Sequence, residues 1–307
     1  MNFQQLRYIR EAVRCGFNLT EAANALHTSQ PGVSRQVREL EEELGIDIFV
    51  RAGRRLTGLT PPGHALLPYV ERLLRDAENI RRASHELQQR EDGRLSIAAT
   101  HSQARYALPP VVKEFRQRYP KVLLNLHQGS PKQVAAMLLS GEADIGVATE
   151  ALANYDQLTT LPCYRWTHSL VVPPGHPLLA LDRLVTLQDL VAYPLITYEL
   201  GYTGRGHIDE AFCAAGLVCE VVMTAMDADV IKTYVELEMG VGIVASIAVD
   251  AERDRELRII EAGHLFQINV TRLGICRGQW LPKFAYTFIE MFVPTLTPGV
   301  VALALEE

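Results

Sequence analysis

The sequence predicts an N-terminal all-α unit ending in a β-wing, then a long linker helix, then a two-lobed α/β domain. Three observations carry this reading: helical spacing of apolar residues up to Leu44, an unbroken amphipathic run after Gly63, and short apolar runs alternating with helices from Leu95 onward. A length of 307 residues accommodates at least two domains. With 48% hydrophobic and 21% charged residues and a mean hydropathy of +0.03, the chain is globular in composition rather than disordered. No stretch approaches the roughly 18 apolar residues of a membrane span, and Arg7, Arg10, Glu11 and Arg14 are unlike a signal peptide, so a cytoplasmic protein without membrane contact is expected. The five cysteines include no C-x-x-C pair, which suggests neither a disulfide framework nor a thiolate zinc site.

Phe3, Leu6, Ile9, Ala12 and Val13 define the first helix, which Gly16 ends. Asn18 and Thr20 can cap a short second helix, Glu21 to Leu26. Thr28 or Ser29 can cap a third, with Pro31 in its first turn and Val33, Val37, Leu40 and Leu44 along its buried face. That order predicts a helix-turn-helix whose outer face carries Ser29, Gln30, Ser34, Arg35 and Arg38, side chains able to reach phosphates and base edges. Phe49 to Thr57 reads as a strand, turn and strand with Arg51, Arg54 and Arg55 near the tip, a wing beside the groove. Taken singly, each arginine is as easily a solvated surface residue; the ordered set is what argues for nucleic acid. The net charge of -6 does not oppose this, because residues 1–60 carry +1 and the remainder carries the negative excess.

The linker helix is expected from about His64 to Gln89. Leu66, Val70, Leu73, Ala77, Ile80 and Leu87, with Ser84 as a polar intruder, form a coiled-coil-like seam for a second copy; packing on its own N-terminal unit is the alternative. Glu91, Asp92 and Gly93 read as a hinge. Beyond it, strands at Leu95–Ala99, Val122–His127 and Asp144–Val147 alternate with helices at Leu108–Tyr119 and Val134–Leu139, which implies a parallel sheet. A second region has strands at Ser169–Val172, Tyr193–Thr197, Cys219–Met223 and Gly242–Val244, with helices at His207–Ala215 and Ala228–Met239. A strand at Phe266–Cys276 and a helix at Lys283–Met291 complete the chain. The expected domains are 1–62, 63–93 and 94–307, the last divided into lobes at 94–162 with 267–307 and at 163–266.

The stretch from Leu19-Thr20-Glu21-Ala22-Ala23 through Ser29-Gln30-Pro31-Gly32-Val33-Ser34 to Leu40-Glu41-Glu42-Glu43-Leu44-Gly45 closely resembles the LysR-type winged helix-turn-helix. The long helix and two-lobed remainder fit the same family, whose effector domain resembles a periplasmic binding protein. Thr100-His101-Ser102-Gln103-Ala104-Arg105-Tyr106, Ala148-Thr149-Glu150, Gly201-Tyr202-Thr203-Gly204-Arg205 and Asp227 to Tyr234 look like the CysB/Cbl subgroup, regulators of sulfur assimilation. The resemblance implies a transcription regulator that binds double-stranded operator DNA, forms a homotetramer and can engage RNA polymerase. It also implies a small anionic effector such as sulfate, thiosulfate, adenosine phosphosulfate, O-acetylserine or N-acetylserine, held by Thr100, Ser102, Gln103, Thr149, Thr203 and, from the other lobe, Trp166. Ser102 stands where the subgroup usually has threonine.

The residues themselves support an anion site at Thr100 to Gln103, since a strand-to-helix loop offers free N–H groups and the positive end of a helix dipole. A plain N-cap would use the same residue types. Asp227 reads as a helix cap rather than half of a metal pair, because no histidine or third carboxylate stands at ligand spacing. Gly240-Val241-Gly242-Ile243-Val244-Ala245 matches a dinucleotide fingerprint in letters only, for it follows a helix and enters a strand. No enzyme motif, metal set or cofactor is indicated, which leaves a small-anion scavenging protein, or a hydrolase working in the cleft, as the rival readings.

Overall fold

A computed structural model describes the whole chain except Arg54, residues 88–91, Ala251 and Glu307, and describes only the backbone of Arg82, His85, Glu86 and Leu87. The chain divides into two units, Met1–Gln88 and Gln89–Glu307.

The first unit contains α1 (Phe3–Arg14), α2 (Leu19–Ala25), α3 (Gln30–Leu44), the hairpin β1 (Phe49–Ala52) and β2 (Arg55–Leu59), and α4 (Pro61–Leu87). Its helix starts follow capping chemistry. Asn18 accepts from the N–H groups of Thr20 and Glu21, and Ser29 from that of Gly32. Gly45 ends α3 at φ 68°, a left-handed conformation that glycine adopts without cost. The core is Leu6, Ile9, Ala12, Val33, Val37, Leu40, Ile48, Phe49 and Leu56. The helix α4 begins three residues before the expected His64, because the Thr60 hydroxyl accepts from the Gly63 N–H. Gly63 is pressed on the residue before β1 so closely that a Cβ would lie 2.1 Å from the Ile48 carbonyl oxygen.

The predicted seam of α4 is divided. Val70 is buried in the core of the same unit, beside Leu74, and Leu66 packs on it. Leu73 and Ile80 point outward, 41% and 72% exposed, next to an exposed Tyr69. The Leu87 side chain and Glu91 of the expected hinge lie outside the described residues, while Gly93, the last residue of that hinge, already opens a strand.

The second unit holds two five-stranded sheets. The first has the order β4-β3-β5-β12-β6, from β3 (Gly93–Ala99), β4 (Val122–Gln128), β5 (Ile145–Thr149), β6 (Leu158–Trp166) and β12 (Asn269–Cys276). The second has the order β11-β7-β10-β8-β9, from β7 (His168–Val172), β8 (Leu195–Tyr198), β9 (Val221–Ala225), β10 (Val241–Ala245) and β11 (Arg258–Glu261). Helices α5 (Leu108–Arg118), α6 (Pro131–Leu139), α10 (Lys283–Phe292) and α11 (Pro298–Glu306) accompany the first sheet. The second sheet has α7 (Leu187–Leu190), α8 (Thr203–Ala214) and α9 (Ala228–Glu236).

Both sheets are mixed rather than purely parallel. Strand β3 runs parallel to β4 and β5, whereas β12 is antiparallel to β5 and β6, and β7 is antiparallel to β10 and β11. The reversal comes from the chain crossing between lobes twice, once at Thr167 and once before Asn269. The expected lobe limit at 162/163 falls inside β6, whose last residue, Trp166, pairs with Asn269 in the first sheet while its side chain joins the core of the second lobe. In the would-be dinucleotide segment, Gly242 leaves space for packing: a Cβ there would meet Val171 at 2.5 Å.

Candidate functional site

The outer face of α3 is the first candidate. Ser34, Arg35 and Arg38 border a shallow groove with Gln30, Pro31, Glu39 and Glu42, on the side away from the buried Val33, Val37 and Leu40. Ser29 is exposed and caps the helix, and Arg55 is exposed on the wing. Arg54 lies outside the described residues. Arg51 differs from these, being half-buried with Nη2 donating to Glu41 at 2.6 Å. Glu41 is buried and its other oxygen accepts from the Ile48 and Phe49 N–H groups at 2.8 and 3.1 Å. One carboxylate thus fastens the wing to α3 through Arg51 and the start of β1.

In the second unit, Thr100, Ser102, Gln103, Thr149, Trp166 and Thr203, all expected at an effector site, line a single cavity of about 30 Å³ with His101, Tyr198, Tyr202, Gly204, Met226 and Ala245. Thr100 follows β3 and Thr149 ends β5, so both reach the cleft from the carboxyl edge of the first sheet. Residues 101–102 begin a helical turn that becomes a π-helix, Gln103–Ala107, and the Thr100 carbonyl accepts from the Ala104 N–H. Thr203 opens α8, which has no side-chain cap. Two helix N-termini, one per lobe, therefore meet at a cavity that, among the described residues, is lined by no carboxylate and no ammonium or guanidinium group. Such a site favours an anion.

Helix α8 starts four residues before the expected His207, across Gly204 and Gly206, which are poor helix formers. Gly204 is needed: a Cβ there would sit 3.0 Å from His168 Nε2 and 3.5 Å from the Trp166 ring. The hydroxyls of Thr149 and Thr203 hydrogen-bond to each other across the cleft. Trp166 is buried, and its Nε1–H has no acceptor among the described residues. The Tyr198 oxygen accepts from the Ala245 N–H at 2.9 Å and its phenol pairs with Ser102; burial pushes its pKa up to about 12, which keeps it a neutral group. Gln103 is turned inward, its Nε2 donating to Thr271 at 3.1 Å and its Oε1 accepting from Tyr164. Backbone rather than amide is what this residue offers the cleft.

Folding also joins residues that spacing alone kept apart. His101 comes to Asp227 and Asp229, with one ligand-capable atom of each within 4.8 Å of the others. Asp227 nevertheless caps α9, accepting from the Val230 N–H at 2.8 Å. Asp229 accepts from Tyr106 at 2.5 Å, Arg105 at 3.1 Å and Lys232 at 3.3 Å, so both of its oxygens already face the chain's own donors. Lys232 is itself buried against Asp254 at 2.8 Å. These contacts pin the turn after the anion-facing residues to the second lobe, and no sequence pattern announces them.

Residues 3–64 match the family described as bacterial regulatory helix-turn-helix protein, lysR family, and residues 88–297 match the LysR substrate binding domain. The chain is 54% identical over 307 residues to the HTH-type transcriptional regulator SsuR of Burkholderia cenocepacia, covering 100% of this chain and 99% of that protein. It is 52% identical over 306 residues to CysB of the same organism, with 100% and 97% covered, and 50% identical over 291 residues to Cbl of Escherichia coli, with 95% and 92% covered. The crystal structure of the cofactor-binding domain of the Cbl transcriptional regulator superposes with a TM-score of 0.67 at 44% identity, over 70% of this chain and 94% of that one. A cysteine-to-aspartate variant of full-length OxyR from Pseudomonas aeruginosa, 20% identical, shares the fold with a TM-score of 0.74 over 96% of this chain and 94% of that one.

Proposed function

The chain belongs to the LysR family of helix-turn-helix transcriptional regulators, and from that premise we propose that it controls sulfur-assimilation genes in response to a sulfur-related anion bound between its lobes. The observation that carries the effector reading is one cavity, lined by no carboxylate among the described residues, where Thr100, Ser102, Thr149 and Thr203 converge with a helix start from each lobe and with the Trp166 N–H, which has no acceptor among the described residues. Sulfate, thiosulfate, adenosine phosphosulfate and the acetylserines are the candidates. A fully ionised tetrahedral group uses only acceptors, which suits hydroxyl, indole and backbone donors.

On the DNA side, Ser29, Gln30, Ser34, Arg35 and Arg38 are assigned to the major groove and Arg54 and Arg55 to flanking phosphates, with Arg51 bracing the wing. Domains of 1–62, 63–93 and 94–307 follow from this division of labour, the first limit falling in the opening turn of α4 and the second after the first residue of β3. Assembly into a tetramer begins at the outward stripe of α4, and RNA polymerase is the further partner in activation.

The test is isothermal titration of sulfate and thiosulfate into the wild type and Thr100→Val, beside urea melts of both. Loss of a hydroxyl donated to a charged oxygen should weaken anion binding by about 1.5 to 3 kcal/mol. Unchanged affinity with a stability loss of about 1 kcal/mol would reduce Thr100 to a structural cap and sink its assignment.

A further inference from the structure

Glu39 stands one turn after Arg35 on the outer side of α3, and its two carboxylate oxygens are divided between two neighbours. Oε1 accepts from Arg35 Nε at 2.8 Å, and Oε2 accepts from Gln36 Nε2 at 2.6 Å. The Arg35 side chain is otherwise open, 77% exposed, against 42% for Glu39. Occupying Nε removes one of the two edges by which a guanidinium can engage a base. The paired Nη groups remain as a planar fork, the edge that meets guanine O6 and N7 end-on.

Stability does not account for the arrangement. An exposed i,i+4 ion pair contributes little to stability, so its removal leaves the helix intact. Its electrostatic effect on DNA binding is larger: a carboxylate in a groove facing phosphates lowers affinity for every duplex, while a pre-oriented fork restores it only where the matching base is present.

We propose that Glu39 is a specificity-determining positioning residue, which holds Arg35 for end-on guanine recognition and whose charge penalises DNA lacking that base. The proposal rests on the reading of α3 as the DNA-contacting helix. It is tested with the full chain by sequencing duplexes enriched from a randomised pool for wild type, Glu39→Ala, Glu39→Gln and Arg35→Ala. Affinities are then measured for the most enriched duplex and a scrambled one, and thermal melts check that all four proteins fold alike. Glu39→Ala should bind the scrambled duplex 3- to 10-fold tighter and lose preference at the same base pair that Arg35→Ala erases. Glu39→Gln keeps an acceptor for Nε without the charge, so it should gain scrambled-duplex affinity while retaining more of that preference. If Arg35→Ala loses a base preference that Glu39→Ala retains in full, the proposal is overturned alone. If Arg35→Ala itself keeps every preference, the base-contact reading of Arg35 falls and takes the proposal with it.

Discussion

His168 sits in β7 only 1% exposed, its ring against Trp166 and Phe266 at centroid distances of 5.5 and 5.1 Å. Burial first, and the neighbouring His207 second, push its pKa down to about 4. Unfolded, the same ring titrates near 6.5, so between these values the unfolded chain binds the extra proton. Stability is therefore intact above about pH 6.5 and declines as pH falls toward about 4, by up to roughly 3 kcal/mol. The urea midpoint of the wild type should drop from pH 7.5 to pH 5, and His168→Gln should flatten much of that drop; an equal drop in both would exonerate this ring. Nothing in the sequence marks His168, a lone histidine at the head of an apolar strand. Thr100 and Thr149 were legible because each stands where an apolar run stops, at a strand's carboxyl end. The inward turn of Gln103 was not, since its partners Tyr164 and Thr271 are 61 and 168 residues away.

Among elements, the wing depends on α3 through one side chain. Glu41→Ala would strand the Ile48 and Phe49 N–H groups and the Arg51 guanidinium together, a buried-pair rupture of about 3 kcal/mol. A first-unit melting transition within a degree of wild type would show that the wing is held otherwise. The sequence exposes helices with clear stripes and capping side chains, α1 to α3 above all. It conceals β6, where Pro162 and a mixture of threonines and leucines break the alternation, and α11, whose Val-Val-Ala-Leu-Ala-Leu run has no polar face. The early start of α8 was hidden by glycines that a helix avoids unless a neighbour demands the space, as His168 does of Gly204.

For the molecule as a whole, Tyr69, Leu73 and Ile80 leave an apolar stripe along α4 that the first unit does not cover. Leu73→Glu should leave the fold unaltered, because the side chain is already 41% exposed, yet weaken self-association at least tenfold. Sedimentation or light scattering that found the wild type monomeric at micromolar concentration would rule the stripe out as a contact. The change from helical to strand-helix periodicity made the two-unit division readable, while the mixed strand directions that the double crossing produces were not, because crossing strands look like any others in sequence. One consequence lies in the cavity between those lobes. Its roughly 30 Å³ is about the room of two waters, and the Thr149 and Thr203 hydroxyls in its wall hydrogen-bond to each other. An anion bound there as proposed would take donors from both lobes, so the bond now made between the Thr149 and Thr203 hydroxyls would be exchanged for a guest that each lobe holds by its own end.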